Sequence, residues 1–235
     1  RRAHSAAASL DEVWNAAHSA AASLDSAARG AGGRLLELPA LAGAAVPPWR
    51  ESSAAAAAAA ANVTARHPVA VVPGFVSSGL ELWRGKECAR SSAFRQRMWG
   101  TPHMLRSFVA DRRCWVEHMS LDRETGMDPE GVKLRSAQGF EAVDWFVPGY
   151  FVWGPLIEAL AAAGYDPNTL LSLAYDWRLS PRALLARDGW HVRAKAGVEA
   201  MVRHAGGRKA VVLSHSYGSV LTRHFFAWVE AREPG

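Results

Sequence analysis

Cysteine is scarce in this sequence, which contains only Cys88 and Cys114 among its 235 residues. Two cysteines cannot form a disulfide-dense scaffold, and no C-x-x-C pair of the metal-binding type is present, so we expect no metal site. Long apolar runs are also missing. No window of about 18 residues is apolar throughout, and the sequence therefore predicts no membrane-spanning helix.

Charge of one sign is not concentrated either. The 27 basic and 22 acidic residues leave a net charge of +5, and the arginines are scattered along the chain. A basic face for nucleic acid is not indicated, and we expect no nucleic-acid partner. A weak attraction to an anionic membrane surface is compatible with this balance. The ten tryptophans fit three environments, which are a core, a lipid-binding cleft and a membrane interface.

Residues 1–65 differ in composition from the rest of the chain. They are rich in Ala, Ser and Gly and contain the nonamer AHSAAASLD twice, at 3–11 and 17–25. Two copies are too few for a solenoid. We interpret this part as a low-complexity leader, disordered or helical, outside the folded domain. Residues 66–235 are then predicted to form that domain.

From residue 66 onward, apolar strands alternate with helices. Buried strands are predicted in HPVAVVPGF (67–75), LLSLAYDWR (170–178) and KAVVLS (209–214). Helical patterns run from Gly149 to Gly164, from Trp190 to His204 and from Ser219 to Glu230. This alternation favours an α/β fold with a mostly parallel sheet and helices on both faces. Residues 78–138 do not fit the alternation and are too long for a loop, so they predict an insertion with short helices of its own.

The third strand runs into Ser214-His215-Ser216-Tyr217-Gly218. This pattern resembles the G-x-S-x-G nucleophile elbow, in which a serine stands on a sharp turn between a strand and a helix. The turn needs small residues two positions before and after that serine. Gly218 meets this need, and Ser214 is a small replacement for the other glycine. The pattern predicts that Ser216 is a nucleophile; the alternative is an ordinary connection with an incidental serine.

A nucleophilic serine of this kind also needs two backbone N–H groups that stabilise an oxyanion. One would come from Tyr217, and the other from the loop after an earlier strand. Pro73-Gly74 turns the chain after the first strand, so that the N–H of Phe75 or Val76 can point inward. A Pro-Gly turn without catalytic meaning is the alternative.

A histidine base and a carboxylate are not evident near Ser216. In α/β-hydrolases both follow the serine in the chain, whereas most histidines of this sequence precede it. His224 lies eight residues past Ser216, within the next predicted helix. The rise of that helix carries it away from the elbow, and we interpret it as a packing or surface residue. We therefore expect the acid and the base beyond Gly235.

Several stretches resemble the phospholipid:diacylglycerol acyltransferase branch of the lecithin:cholesterol acyltransferase family. They are HPVAVVPGFVSSGLELW, the long segment from FRQRMWG to GYFVW, AYDWRLSP and VVLSHSYGS. The long segment is the most specific, because it separates this branch from lipases in general. The resemblance covers roughly residues 67–230. It implies the N-terminal part of an α/β-hydrolase fold, truncated after the nucleophile elbow, with a lid-type insertion at about 78–138.

The resemblance also implies a reaction. Ser216 would accept an acyl group from phospholipid and pass it to diacylglycerol, forming triacylglycerol without a cofactor or metal. Val76 and Tyr217 would supply the oxyanion N–H groups. A phospholipase or lipase that hydrolyses the same ester is one alternative, and an inactive lipid-binding fragment without the triad Asp and His is another. The implied setting is the endoplasmic reticulum membrane, at its surface or lumen, while the leader leaves a plastid open.

Further residues acquire expected roles from this resemblance. Cys88 and Cys114 would form a disulfide that closes the lid loop, in an oxidising compartment; two free thiols are the alternative. Asp176 and Arg178 fall at the carboxyl end of the second predicted strand, where sites of parallel sheets collect. For them we favour a buried ion pair that fixes the strand end. Trp99 and Trp115 belong to the lid-type insertion. Each is expected either to face lipid or to pack in an ordinary core.

Overall fold

A computed structural model describes residue 56 and residues 64–89, 94–147 and 150–232. The chain divides into two units, Arg1–Arg50 and Glu51–Gly235, and every described residue belongs to the second. The interpretation of residues 1–65 as a leader therefore falls almost entirely outside the described residues.

Strands and helices alternate through the second unit. The strands are β1 (Val69–Val72), β2 (Leu80–Arg84), β3 (Arg97–Trp99), β4 (Lys133–Ser136), β5 (Trp145–Val147), β6 (Tyr150–Phe151), β7 (Leu170–Ser172) and β8 (Val211–Ser214). The helices are α1 (Pro102–Ala110), α2 (Arg112–Met119), α3 (Gly154–Ala162), α4 (Pro181–Asp188), α5 (Trp190–His204) and α6 (Tyr217–Glu230), with a short 3₁₀ helix at Phe140–Ala142. None of the described helices is long and apolar enough to cross a bilayer.

The central sheet has the strand order β7-β1-β8 and is parallel throughout. Val69 pairs with Leu170 on one side and with Val211 on the other. All four residues of β1 are buried, as expected for a strand covered on both faces. The predicted α/β fold with a parallel sheet is therefore confirmed.

Alternate residues of β1 face two separate cores. Ala70 and Val72 pack in one core with side chains of α4, α5 and α6, among them Leu184, Trp190 and Leu221. Val69 and Val71 pack in the other core, which includes Trp153 and side chains of α3. The sheet thus lies between two helical layers, and its carboxyl edge is held rigidly on both sides.

The insertion at 78–138 contains the short helices α1 and α2, as the sequence analysis expects, but also a sheet that it does not predict. This sheet is antiparallel, with the order β3-β2-β4. Leu80, Leu82 and Leu134 are buried in its core, but Glu81 is buried too, so no clean period of two runs through the segment LELWR. It is too short to stand out from sequence alone.

Two predicted elements are too long. The strand predicted over 170–178 ends at Ser172, because the chain leaves the sheet soon afterwards: the Leu173 N–H still donates to Val71 O at 2.9 Å, but the Tyr175 N–H donates to Ser78 Oγ. The helix predicted from Gly149 begins only at Gly154, since residues 150–151 pair as β6 and Pro155 occupies the first turn, a favoured place for proline.

The helices that pack on the other face of the central sheet are α4, α5 and α6, and two of them differ from the prediction. Helix α4 was not predicted, although Ser180 caps it through the Ala183 N–H and Pro181 starts it. Helix α6 begins at Tyr217 rather than at Ser219. Helix α5 has the predicted bounds.

Candidate active site

Ser216 stands at the tip of the turn between β8 and α6. Its backbone has φ 53° and ψ −125°, a conformation that side-chain-bearing residues rarely adopt and that is kept only where the surrounding structure enforces it. Ser216 is exposed, so its hydroxyl is accessible rather than packed into the sheet. This is the geometry of a nucleophile elbow.

Gly218 lets the first turn of α6 approach the backbone behind it. A Cβ atom at this position would lie 2.3 Å from Pro73 O and 2.6 Å from Val72 O, which no side chain can tolerate. At the other end of the pattern, Ser214 Oγ lies 3.1 Å from Ser219 Oγ. The hydroxyl in place of the first glycine is therefore accommodated by a hydrogen bond within the elbow.

The loop after β1 lies directly against the elbow. A Cβ atom at Gly74 would lie 2.8 Å from His215 Nδ1, the end of a flexible side chain, and 3.1 Å from Ser216 Cβ, so a side chain here would fit only if these neighbours shift. The His215 N–H donates to Val72 O at 3.2 Å. The structure thus brings together the two turns that the sequence analysis associates with an oxyanion hole.

Val76 holds a second strained backbone position, with φ 57°, which is unfavourable for a β-branched residue. Its carbonyl accepts a hydrogen bond from Trp99 Nε1 at 2.9 Å. Trp177 Nε1 donates to Ser78 O at 3.1 Å, and Tyr175 Oη donates to Pro73 O at 2.8 Å. Indole and phenol donors thus fix the loop on three sides.

Protonation keeps the phenolic bond to Pro73 intact. Burial raises the pKa of Tyr175 well above its usual value, and neighbouring Tyr217 raises it further. The Tyr175 hydroxyl therefore remains a donor over the whole physiological range.

Tyr217 offers its N–H at the start of α6, where the helix dipole favours negative charge. Its side chain turns into the core, with Oη donating to Leu179 O at 3.1 Å and its ring 6.1 Å from that of Tyr175. Neither the Val76 N–H nor the Tyr217 N–H donates to another backbone group in the part of the chain that the structure describes.

Several histidines that could in principle act as a base for Ser216 form contacts elsewhere. His224 Nδ1 lies 2.8 Å from His191 Nε2, between α5 and α6. His118 is fully buried, with Nδ1 bonded to Cys114 O and Nε2 to the Lys86 N–H. His103 contacts Ser107 Oγ at 3.1 Å. Among the described residues, no histidine forms a hydrogen bond to the Ser216 hydroxyl.

Cys88 and Cys114 are joined in a disulfide between the loop after β2 and helix α2. Together with His118, their side-chain atoms form the group that comes nearest to a metal site in the described ranges. Disulfide sulfurs are not thiolates and do not ligate metal, and both ring nitrogens of His118 already have partners. The group therefore acts as a structural clamp on the lid-type insertion.

Asp176 and Arg178 form the ion pair that the sequence analysis favours, with Arg178 Nη2 2.6 Å from Asp176 Oδ2. The pair belongs to a larger network. Arg187 Nη2 also contacts Asp176 Oδ2 at 2.8 Å, and Arg178 Nη2 contacts Asp128 Oδ1 of the insertion at 2.8 Å. The network is completed by Arg135 and Asp188.

Asp176 is fully buried yet charged. Burial acts to raise its pKa, but the hydrogen bonds and charges of Arg178 and Arg187 outweigh burial and hold the pKa of Asp176 below its usual value. Asp128 lies 50 residues from Arg178, and since no local pattern links the two, its part in the network is not predictable from the sequence. The capping residue Ser180 followed by Pro181 is a sequence signal for the start of α4, the helix that carries Arg187.

Trp99 and Trp115 of the insertion belong to an aromatic cluster that also includes residues outside it. The ring of Trp99 is 5.0 Å from those of Phe146 and Trp177 and 6.4 Å from that of Trp115. Both are partly buried against the core of the antiparallel sheet. Of the two expected environments, the structure therefore gives them core packing.

Comparison with known proteins identifies relatives of this arrangement. The family described as lecithin:cholesterol acyltransferase matches residues 93–233. The chain is 49% identical over 170 residues to the phospholipid:diacylglycerol acyltransferase of Schizosaccharomyces pombe, covering 72% of this chain and 26% of that protein. It is 43% identical over 176 residues to the Saccharomyces cerevisiae protein of the same name, covering 74% and 26%.

A plant relative matches over the same region. Phospholipid:diacylglycerol acyltransferase 1 of Arabidopsis thaliana is 48% identical over 170 residues, covering 72% of this chain and 25% of that protein. The chain thus spans about a quarter of the length of the curated relatives it matches.

Proposed function

Because the chain belongs to the lecithin:cholesterol acyltransferase family, we propose that it contributes the nucleophile and the oxyanion loop of a phospholipid:diacylglycerol acyltransferase. The feature that carries the proposal is the Ser216 turn. Its strained serine is pressed against Gly74, at the carboxyl edge of a parallel sheet. Such strain persists only where the surrounding structure enforces it, and nucleophile elbows are a known setting for it.

In the first step, Ser216 Oγ gives up its proton to a base and attacks the ester carbonyl carbon of a phospholipid. The Val76 and Tyr217 N–H groups stabilise the tetrahedral oxyanion. Collapse breaks the ester bond, and the lysophospholipid leaves with a proton. The base is proposed to come from outside the described residues, since no described histidine contacts the Ser216 hydroxyl.

In the second step, the hydroxyl of diacylglycerol loses its proton and attacks the acyl-serine. Triacylglycerol forms, and Ser216 recovers its hydrogen. Water in place of diacylglycerol would give a free fatty acid, which is the reaction of a phospholipase. The choice between these acceptors depends on how well the site excludes water.

The test uses protein expressed from the complete reading frame and phospholipid with a radiolabelled acyl chain. We expect labelled triacylglycerol from the wild type, and a loss of at least about a thousandfold with Ser216→Ala, as for other activated serines. The exposed Ser120→Ala is the matched control and should retain activity. Transfer that survives Ser216→Ala would contradict the assignment, and labelled fatty acid in place of triacylglycerol would favour hydrolysis.

We further propose that the protein works at the endoplasmic reticulum membrane, with this domain on the luminal side. The Cys88–Cys114 disulfide supports an oxidising compartment. Trp83 and Phe94 of the insertion are exposed and in edge contact at 5.8 Å, which suits a membrane interface. Cell fractionation followed by thiol labelling is expected to find the protein in microsomes with both cysteines oxidised. Plastid protein, or soluble protein with free thiols, would contradict this.

A further inference from the structure

A cavity of about 420 Å³ opens beside the ion-pair network, between β2, β4 and α4. Its lining is rich in positive charge, with the basic side chains of Arg84, Lys133, Arg135 and Arg187 and one acidic side chain, that of Asp128. This cavity has no place in the acyl-transfer steps above, and its charge calls for a separate account.

The inner wall of the cavity is already neutral. Both carboxylate oxygens of Asp128 are engaged, Oδ2 by Arg135 Nη1 at 2.5 Å and Oδ1 by Arg178 Nη2 at 2.8 Å. Arg187 contacts the carboxylates of Asp176 and Asp188. The three arginines of the network are therefore balanced by three aspartates, and Asp128 has no free oxygen that would repel an anion.

The mouth of the cavity is not neutral. Arg84 and Lys133 are both exposed, and neither side chain has an ion pair or hydrogen bond with another described residue. They sit directly opposite each other in the β2–β4 pairing. Like charges directly opposite each other destabilise a sheet. The described residues supply no counterion to either of these two cations.

A further basic residue, Arg187, belongs to the deeper lining of the cavity. The Arg187 side chain is only 10% exposed, and its Nη1 has no hydrogen-bond acceptor among the described residues. Asp128 Oδ2 is 3.2 Å away, but its direction does not suit a hydrogen bond. Arg187 lines the same cavity as the two exposed cations, but its Nη1 is buried and paired in charge with Asp128, so the cations open to a ligand are those at the mouth.

We propose that this cavity is a binding site for a phosphate group, held between Arg84 and Lys133 at its mouth. Arginine forks match the oxygens of phosphate, and a lysine adds a point charge. The phosphate can belong to a lipid headgroup or to a soluble phosphate. If the phosphate belongs to a lipid headgroup, this inference rests on the proposed acyl transfer, because the site would then hold the headgroup of a substrate. If the phosphate is soluble, the inference is independent of acyl transfer.

The experiment measures binding rather than turnover. Inorganic phosphate is titrated calorimetrically into the complete protein carrying Ser216→Ala, so that the result does not depend on the nucleophile assignment. The test variant adds Arg84→Gln and Lys133→Gln, and the control adds Arg66→Gln and Lys209→Gln. The control makes the same change in charge at exposed residues next to the amino ends of β1 and β8, at the opposite edge of the sheet.

We expect the test variant to bind phosphate at least about tenfold more weakly, because each lost contact is a charged hydrogen bond, while the control binds like the parent. Thermal unfolding should show phosphate stabilising the parent but not the test variant. Vesicles of phosphatidylcholine with phosphatidate that displace phosphate would identify a lipid headgroup; vesicles that do not displace it would identify a soluble phosphate. Absent phosphate binding, or equal weakening in both variants, would overturn the proposal.

Discussion

At the scale of single residues, the site depends on two glycines and two strained positions. Gly218 allows a backbone approach closer than any side chain permits, whereas a side chain at Gly74 would force His215 and Ser216 to shift. Ser216 and Val76 adopt left-handed backbone angles despite their side chains. The second pair depends on the first, because strained turns are held only where the chain behind them is packed tightly.

Gly218→Ala tests this close approach. The added methyl group would lie 2.3 Å from Pro73 O, so α6 must shift, and we expect a loss of at least about 1–3 kcal/mol in the free energy of unfolding. Urea unfolding of the complete protein measures it. Gly197→Ala in α5 is the matched control. Its added methyl group meets only the flexible Leu171 side chain, and alanine has a higher helix propensity than glycine. Equal stability of the two variants would contradict this account.

At the scale of elements, α5 and α6 share a buried histidine contact. His191 is fully buried among Trp190, Phe225 and Trp228, and Nε2 bonds to His224. Burial lowers the pKa of His191 to about 4, with smaller contributions from the charges of His224 and Arg232. The interface between the two helices therefore depends on a neutral imidazole.

This contact predicts a pH dependence. Well above pH 6.5, the ordinary pKa of histidine, His191 is neutral in the folded and the unfolded states, and its contribution to stability is complete. As the pH falls from about 6.5 to 4, the unfolded chain binds the proton first, so the free energy of unfolding should fall by up to about 3 kcal/mol. Urea unfolding across this pH range should show that the free energy of unfolding declines less steeply for His191→Gln than for the wild type. An unchanged slope in the variant would contradict the assignment.

At the scale of the whole molecule, sequence alone predicts what is local. The bounds of α5 follow from its amphipathic pattern, and the elbow follows from SHSYG after an apolar run. The contact between Asp128 and Arg178 spans 50 residues, and the β3-β2-β4 sheet joins strands too short for a clear periodicity. Such features depend on tertiary packing, which overrides weak local propensity. The cavity beside the network could be found only in three dimensions.

The central claim is that Ser216 carries the acyl group. The most direct measurement incubates the complete protein with phospholipid in the absence of acceptor and maps the covalent adduct by peptide mass spectrometry. We predict an acyl group on Ser216 that disappears when diacylglycerol is added and triacylglycerol forms. An adduct on another residue, or none under conditions in which transfer proceeds, would contradict the account.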